Sequence, residues 1–432
     1  MHPPRPVPQK LRLVARAFVI FFLFVRTGVW YALGWFAMLV RGRDKAARQA
    51  FFGQCVFGLF RDLGATFIKV GQIMSTRPDL LPPHIIDALK RLQDDVGPFP
   101  FKFVRETIES DFGQPVEKLF AELSPRPTAS ASVAQVHKAR LASGDWVAVK
   151  VRRPNIEELC EFDLGVMRLY ASILELLPSL RLLAPTESIN QFGRAIAMQL
   201  DFTIEAENNR RFRRNFAAEP DVIIPRLYDT LCSKRVLVME FIEGVKVLDC
   251  ARSGVEPRRL GQLGFRIMLK MVFADGFVHA DLHPGNILVT PSGKVALLDL
   301  GLVAELDNEH RNAFARYFAA WAQGDGETMA DIMVKHSPSP SIGDRAGFRA
   351  AVQQFVDRYH GKRLGEVEVA RVVYEMMAIL RRFRVRMNAT FTMVNIAIAV
   401  TEGIGKQLDP TLDLMNEAMP FFMALQFSPS AP

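Results

Sequence analysis

The segment His279-Ala-Asp281-Leu-His283-Pro-Gly-Asn286 is followed by Leu298-Asp299-Leu300-Gly301. Asp281 therefore has an Asn five residues on and a second Asp eighteen residues on. That spacing suits phosphoryl transfer: the first Asp orients or deprotonates the attacking oxygen, and Asn286 and Asp299 hold Mg²⁺ against the phosphates of ATP. His279, Asp281 and His283 also alternate, and on a strand all three would project from one face. On this segment alone, a hydrolytic metal cluster and histidines that merely shape a turn stay open.

A phosphoryl-transfer site of this kind needs a lysine on a strand. Trp146-Val-Ala-Val-Lys150-Val supplies one, 131 residues before Asp281. Alternation puts Val147, Val149 and Val151 on one face and Ala148 and Lys150 on the other. Ala148 can lie flat against adenine while Lys150 reaches the phosphates. Ser143-Gly-Asp145 marks the hairpin turn before the strand. Gln199-Leu-Asp201-Phe-Thr-Ile-Glu205 offers the lysine's carboxylate partner, with Asp201 and Glu205 at i, i+4 on one predicted helical face. A solvated acidic helix running into the basic stretch 210–214 is the other reading. Val236-Leu-Val-Met-Glu240-Phe-Ile-Glu-Gly244 reads as a buried strand running into a hinge, where the Glu240 carbonyl and the Ile242 amide could bond adenine.

With these residues in order, the chain resembles the UbiB/AarF family of atypical protein-kinase-like proteins, tied to ubiquinone biosynthesis. Lys69-Val-Gly-Gln72, with Ser75-Thr-Arg77-Pro-Asp79 behind it, matches the family's K-x-G-Q motif. Ala129-Ser130-Ala131-Ser132 matches its Ala-rich loop, which stands where ordinary kinases carry a Gly-rich one; no G-x-G-x-x-G occurs in the chain. The E-x-D motif appears as Gln199-Leu-Asp201, with an amide for its first acid. An amide can give Lys69 only an uncharged bond. The resemblance runs from about residue 60 to about 415. It implies an α+β, two-lobed protein-kinase-like fold with an added N-terminal helical extension and a mostly helical large lobe. It implies ATP and Mg²⁺ as cofactors. Asp281, Lys150 and Glu205 would be catalytic, and Asn286 and Asp299 would hold the metal. Lys69, Gln72, Ala129, Ser130, Ala131, Ser132, Ala148, Lys150, Glu240 and Ile242 would bind the nucleotide.

Beyond Asp299, residues 306–323 pass almost straight into an apolar-periodic helix for which Asn308 can serve as N-cap. No A-P-E follows, and no Ser, Thr or Tyr lies between Gly301 and that helix. The usual platform for a protein substrate, and its phospho-switch, are therefore not expected. A true protein or small-molecule kinase and a non-enzymatic, nucleotide-gated lipid-binding module remain as alternatives to a lipid-coupled kinase or ATPase.

Residues 1–50 hold nine Lys and Arg against the single acid Asp44, which accounts for the whole net charge of +8. The remainder is balanced, so the charge gives no reason to expect a nucleic-acid partner. Apolar runs at 17–25 and 29–40 are split by Arg26-Thr-Gly28. Twenty-four residues could span a bilayer, but Arg26 near the centre would cost about 2.5–3.5 kcal/mol. Trp30, Tyr31 and Trp35 favour the interface. An interfacial or re-entrant helix held to anionic membrane lipid by basic flanks is expected; a full span, or a helix packed on the protein itself, are the alternatives. The family setting adds a ubiquinone-precursor lipid or its biosynthetic complex as partner, at the cytoplasmic face of a bacterial inner membrane. The apolar tail at 419–427 is short.

Cys55, Cys160, Cys232 and Cys250 are scattered without a C-x-x-C, as in a reducing compartment. At 432 residues and 49% hydrophobic, the chain can bury two lobes. The expected organisation is a membrane-associating arm at 1–50, a helical K-x-G-Q extension at 51–125, a sheet-bearing small lobe at 126–244 and a helical large lobe at 245–432. Met376, Met377, Met387 and Met393 are expected in the core.

Overall fold

A computed structural model describes residues 9–75, 81–92, 97–176, 185–252, 254–337, 343–360, 369–385 and 389–409. The chain forms two compact units, Met1–Ile204 with Tyr228–Glu240, and Glu205–Leu227 with Phe241–Pro432. The passage from Glu240 to Phe241 is thus a unit boundary, at the segment read as a hinge. The boundary at 204/205 gives Glu205 and the helix that follows it to the second unit, whereas the sequence places them in a lobe at 126–244.

The first unit is built on five antiparallel strands. These are β1 (Glu122–Leu123), β2 (Ala129–Ser130), β3 (Ala134–Arg140), β4 (Trp146–Arg152) and, later in the chain, β6 (Val236–Glu240). They run in the order β1-β3-β4-β6, with β2 also paired to β3. The turn at Gly144, φ +91°, joins β3 to β4. The alternation in β4 sorts its faces as expected. Val147, Val149 and Val151 are fully buried and pack with Val236 and Val238 against Val104 and Ile108 of helix α5 (Phe101–Phe112). Each such valine contributes roughly 1.5 kcal/mol or more of burial. Ala148 and Lys150 lie on the opposite face, opposite Lys138 and Val136 of β3.

Before this sheet come α1 (Gln9–Val40), α2 (Lys45–Leu63), α3 (Ala65–Ser75) and α4 (Pro83–Leu89). The two apolar runs on either side of Arg26-Thr-Gly28 lie on one continuous helix, α1, of 32 residues. The reason is tertiary. Arg26 pairs with Asp62 of α2, so its charge has a partner and the helix has no cause to unwind there. Among the described residues α6 (Val116–Leu119), α7 (Ile156–Leu174) and α8 (Pro185–Leu200) follow. Ile20 and Leu23 of α1 are buried with Leu59, Leu63 and Phe67, against Phe162 and Val166 of α7.

The second unit opens with α9 (Phe202–Asn215, of which residues from Glu205 belong here) and, among the described residues, carries two small sheets. One is β5 (Val222–Ile223), β10 (Val295–Leu297), β9 (Ile287–Val289) and β7 (Val245–Lys246), in that order. The other pairs β8 (Phe277–His279) with β11 (Val303–Glu305). Helices α10 (Pro257–Leu269), α11 (Asn308–Ala322), α12 (Gly326–Lys335), α13 (Arg345–Tyr359), α14 (Val369–Arg382) and α15 (Ala389–Leu408) bury a large core that includes Phe314, Phe348, Met376 and Met377. Met393 packs at its edge; Met387 and the tail at 419–427 lie outside the described residues. The cap of α11 is Asp307 rather than Asn308: its carboxylate accepts the His310 amide at 2.7 Å.

Candidate active site

Strand pairing in the second unit sets the phosphoryl-transfer residues side by side. Asp281 follows β8 by two residues, and Asp299 sits between β10 and β11. Because β11 returns to pair with β8, with Val303 opposite His279, the two aspartate-bearing loops leave the same end of one ribbon. Further bonds fix them. The Ala280 amide donates to the Leu302 carbonyl (3.0 Å) and the Leu298 amide to the Asn286 carbonyl (2.8 Å).

His279 is the tether between these loops. Its ring is fully buried; Nδ1 accepts the Asp281 amide at 3.2 Å and Nε2 lies 3.1 Å from the Leu298 carbonyl. With Nδ1 accepting, the proton must reside on Nε2 and be donated to Leu298. Burial pushes this imidazole's pKa down, against the opposing pull of the Leu298 bond and the Asp281 and Asp299 charges. A neutral imidazole is the form this double bond requires. His283, by contrast, is exposed and accepts the Gly285 amide at 3.0 Å. The two histidines therefore part company, and no group of three or more His, Cys, Asp or Glu side chains is placed to hold a metal among the described residues. The alternating metal-cluster reading of this segment has no geometric support here.

Asn286 is buried and its Nδ2 donates to the Asp281 carbonyl at 2.9 Å. Its amide oxygen is then the atom left to face a cation. Asp299 is exposed and stands at φ +51°, one of three non-glycine residues at positive φ among the described residues. Asp tolerates that region better than most, yet it still costs of order 1 kcal/mol, and such outliers cluster at functional sites. An ideal Cβ on Gly301 would lie 3.4 Å from Asp299 Oδ1 and 3.5 Å from Glu205 Oε2. Gly301 thus stands beside both carboxylates, where any side chain would touch them, and Glu205 is itself buried at 4% exposure. Asn208, one turn along α9, donates to the Leu300 carbonyl at 2.9 Å and ties that helix to the Asp299 loop. The donor set, one amide oxygen and an aspartate carboxylate, fits Mg²⁺. That ion is held by one or two carboxylates together with substrate phosphates rather than by an all-protein cage.

Asp201, expected beside Glu205 on one helical face, is placed elsewhere. The helix breaks between Leu200 and Phe202, and Asp201 caps α9, its carboxylate accepting the Thr203 amide at 3.0 Å. Capping is what an aspartate before a helical run does by default.

The first unit holds the other predicted residues except Ile242. Lys150 is buried, 8% exposed, with its Nζ 5.3 Å from the centre of the Phe202 ring. Ala148 is half-buried two residues before it, and Glu240 ends β6 in register with Val147. Ile242 lies just past the unit boundary, partly buried. Ala129 and Ser130 form β2; Ala131 and Ser132 make the turn into β3, closed by the Ala131 amide on the Ala134 carbonyl at 2.7 Å. Lys69 and Gln72 sit on α3, whose residues 65–71 are all shielded. Gly71 between them has a steric reason: a Cβ there would lie 2.4 Å from Leu92 Cδ1 and 2.8 Å from Phe60 Cδ1. Gln72 Nε2 donates to the Leu92 carbonyl at 3.2 Å.

Sequence reasoning missed Asn208 and the tether role of His279. Nothing in the run Glu205-Ala-Glu-Asn-Asn209 distinguishes Asn208 from its neighbours. The position of His279 two residues before Asp281 was visible, but its second bond, to Leu298, exists only once β8 and β11 pair.

Comparison with known proteins identifies the family. Residues 91–333 match the ABC1 atypical kinase-like domain, and residues 352–413 match the UbiB helical domain. A "Probable protein kinase UbiB" of Marinobacter nauticus is 38% identical over 368 residues, spanning 83% of this chain and 67% of the relative. The protein of the same name from Pseudomonas aeruginosa is 36% identical over 369 residues, spanning 84% and 69%. Among solved structures, the complex of Rv3197 with erythromycin from Mycobacterium tuberculosis matches with a TM-score of 0.54 at 22% identity, over 81% of this chain and 90% of that one. That likeness supports a kinase-like α+β fold. With the two domain matches and the curated relatives agreeing along most of its length, the chain belongs to the UbiB/ABC1 family of atypical protein-kinase-like proteins.

Proposed function

We propose that this protein is a membrane-associated, Mg²⁺-dependent atypical kinase or ATPase that supports ubiquinone biosynthesis, acting on or with a lipid precursor or the complex that processes it. The observation that carries the reading is the Asp281–Asn286–Asp299 arrangement, held by β8–β11 pairing and the buried His279. MgATP, when bound, supplies the transferable phosphoryl group and the charge that offsets its oxygens. Asn286 and Asp299 would hold the ion, and Lys150 and Glu205 would position the phosphates. Ala148, with the Glu240 carbonyl and Ile242 amide, would receive the adenine. Asp281 would orient the acceptor oxygen, its backbone locked by His279 on one side and by Asn286 on the other. The test is transfer of labelled γ-phosphate, to water or to an isolated lipid acceptor. Asp281→Asn is expected to lower it by about 10²-fold or more while leaving nucleotide affinity within a few-fold. Equal turnover in the two proteins would remove Asp281 from this role.

Membrane association is supported by α1. Residues Val14–Val40 are apolar enough to cross a bilayer, and only 11% of the most apolar stretch is buried. Its inner face packs on α2 and α7, as a helix docked on its own unit does. Its outer face nevertheless exposes Phe18, Phe22, Val25, Val29, Leu33 and Phe36 at 47–69%. These positions recur at three- and four-residue steps, one stripe of the helix. Leu169, Ile173 and Leu176, from α7 and just past it, are exposed as well. A docked helix with an apolar outer stripe and basic flanks fits an interfacial seat on anionic lipid better than a span. Co-flotation with anionic liposomes should fall about tenfold in Phe22→Glu/Phe36→Glu. Undiminished flotation would place the lipid contact elsewhere.

A further inference from the structure

The turn between β2 and β3 carries no residue at positive φ, so it lacks the conformational freedom by which a glycine loop turns its amides toward phosphates. Something outside the turn must hold its peptides. That group is Arg153, the first residue after β4. Its backbone amide donates to the Val133 carbonyl at 2.8 Å. Its guanidinium reaches three more carbonyls: Nε to Ser132 at 3.2 Å, and Nη2 to Ala131 at 3.1 Å and to Gly97 at 2.8 Å. The guanidinium carbon lies 5.2 Å from the centre of the Phe99 ring. The strap at 97–99 is fixed in turn. Ser130 Oγ donates to the Gly97 carbonyl at 3.0 Å, and the buried Gln135 side chain accepts the Phe99 amide at 3.0 Å and donates to its carbonyl at 3.2 Å.

A planar trans peptide points its N–H opposite to its C=O. With the Ala131 and Ser132 carbonyls drawn onto Arg153, the amides of Ser132 and Val133, on those same peptide units, are turned the other way. Successive amides turned to one side form an anion-binding concavity. Among the described residues Arg153 has no carboxylate partner, so its charge adds to the concavity instead of being neutralised. The register places this turn beside the nucleotide lysine: Ala134 pairs with Arg152 and Val136 with Lys150.

We infer that Arg153 is a positioning residue that holds the Ala-rich loop with its amides set to receive the phosphate chain of the nucleotide. This inference rests on the nucleotide-binding reading above. The loop is preset by a side-chain clamp, where a glycine-rich loop would close by its own flexibility.

The test compares ATP, ADP and adenosine binding to the full-length wild type, Arg153→Lys and Arg153→Met. Arg153→Met is expected to weaken ATP and ADP by roughly tenfold or more, the worth of one hydrogen bond to a charged group, with adenosine within about twofold. Arg153→Lys should recover part of that loss, because an ammonium can hold one or two of the carbonyls but not the fork. A general folding defect would instead weaken all three ligands together, and that result, or unchanged ATP affinity, overturns the inference. Amide exchange in the wild type gives a check that needs no variant: MgATP should protect residues 131–134, and no protection there also overturns it. If the wild type binds adenosine but no ATP, or binds neither, the nucleotide reading itself fails.

Discussion

Asp299→Asn is expected to abolish tight MgATP binding and to lower turnover by at least about 10²–10³-fold, the scale seen when one preorganised charge-stabilising group is lost. The substitution is chosen so that shape survives. Asn is among the few residues that accept φ near +51°, so the loop between β10 and β11 can keep its path. What changes is charge: a carboxylate that could hold a divalent ion becomes a neutral amide. Asp299 and Glu205 both lie beside Gly301, so the substitution removes the charge of one of two neighbouring carboxylates while keeping its shape. The nucleotide-free variant should still unfold cooperatively, while the stabilisation conferred by MgATP on the wild type disappears. Differential scanning with and without MgATP reads both effects. A variant that retains tight MgATP binding would sink the metal assignment of Asp299, whatever its turnover.

Asp163→Ala should destabilise the first unit by about 3 kcal/mol and release α1 from it. Asp163 is fully buried, and Arg16 of α1 grips it with two bonds, Nε to Oδ1 at 3.0 Å and Nη2 to Oδ2 at 2.9 Å. The same guanidinium also donates to the Leu63 carbonyl at the end of α2, so one side chain joins three helices. Removing a single partner of such a pair leaves the other charge poorly solvated, which typically costs about 3–5 kcal/mol. The lower end applies because the Arg16 side chain keeps 20% exposure and can turn partly to water. Replacing both partners by apolar residues of similar volume should cost far less. Urea unfolding gives the stability, and limited proteolysis after Arg12 or Arg16 reports detachment of the helix. Wild-type stability and protease resistance in Asp163→Ala would show that apolar packing around Ile20 and Leu23 holds α1 without the ion pair.

The parts of the molecule governed by local rules were readable in the sequence. The alternation of β4 sorted Val147, Val149 and Val151 into the core and Ala148 and Lys150 away from it. The turn residues at 143–145 marked a real hairpin, and the run from residue 306 did pass almost straight into a helix. The order of K-x-G-Q, Ala-rich loop, strand lysine and paired aspartates was enough to suggest the family. Features decided by tertiary partners were not readable. Asp201 and Glu205 share a helical spacing, but one helix ends at Leu200 and the next begins at Phe202, so Asp201 becomes its cap while Glu205 is buried beside the Asp299 loop. Arg26 read only as a costly charge within an apolar stretch, because Asp62, thirty-six residues away, was not visible as its partner. Arg153 carried no signal at all. It is one of two adjacent arginines, and only the folded turn at 131–133 distinguishes the one that gathers carbonyls from Arg152, which donates to Glu157 and the Leu200 carbonyl.

The central claim is that this chain uses MgATP chemically and in concert with lipid. The most direct measurement is phosphate release from MgATP by the purified full chain, alone and with anionic liposomes carrying a ubiquinone-precursor mimic. The account predicts turnover that rises with the liposomes and vanishes in Asp299→Asn. Intact MgATP binding with no phosphate release or transfer under either condition would contradict it, and would make the protein a nucleotide-gated lipid binder.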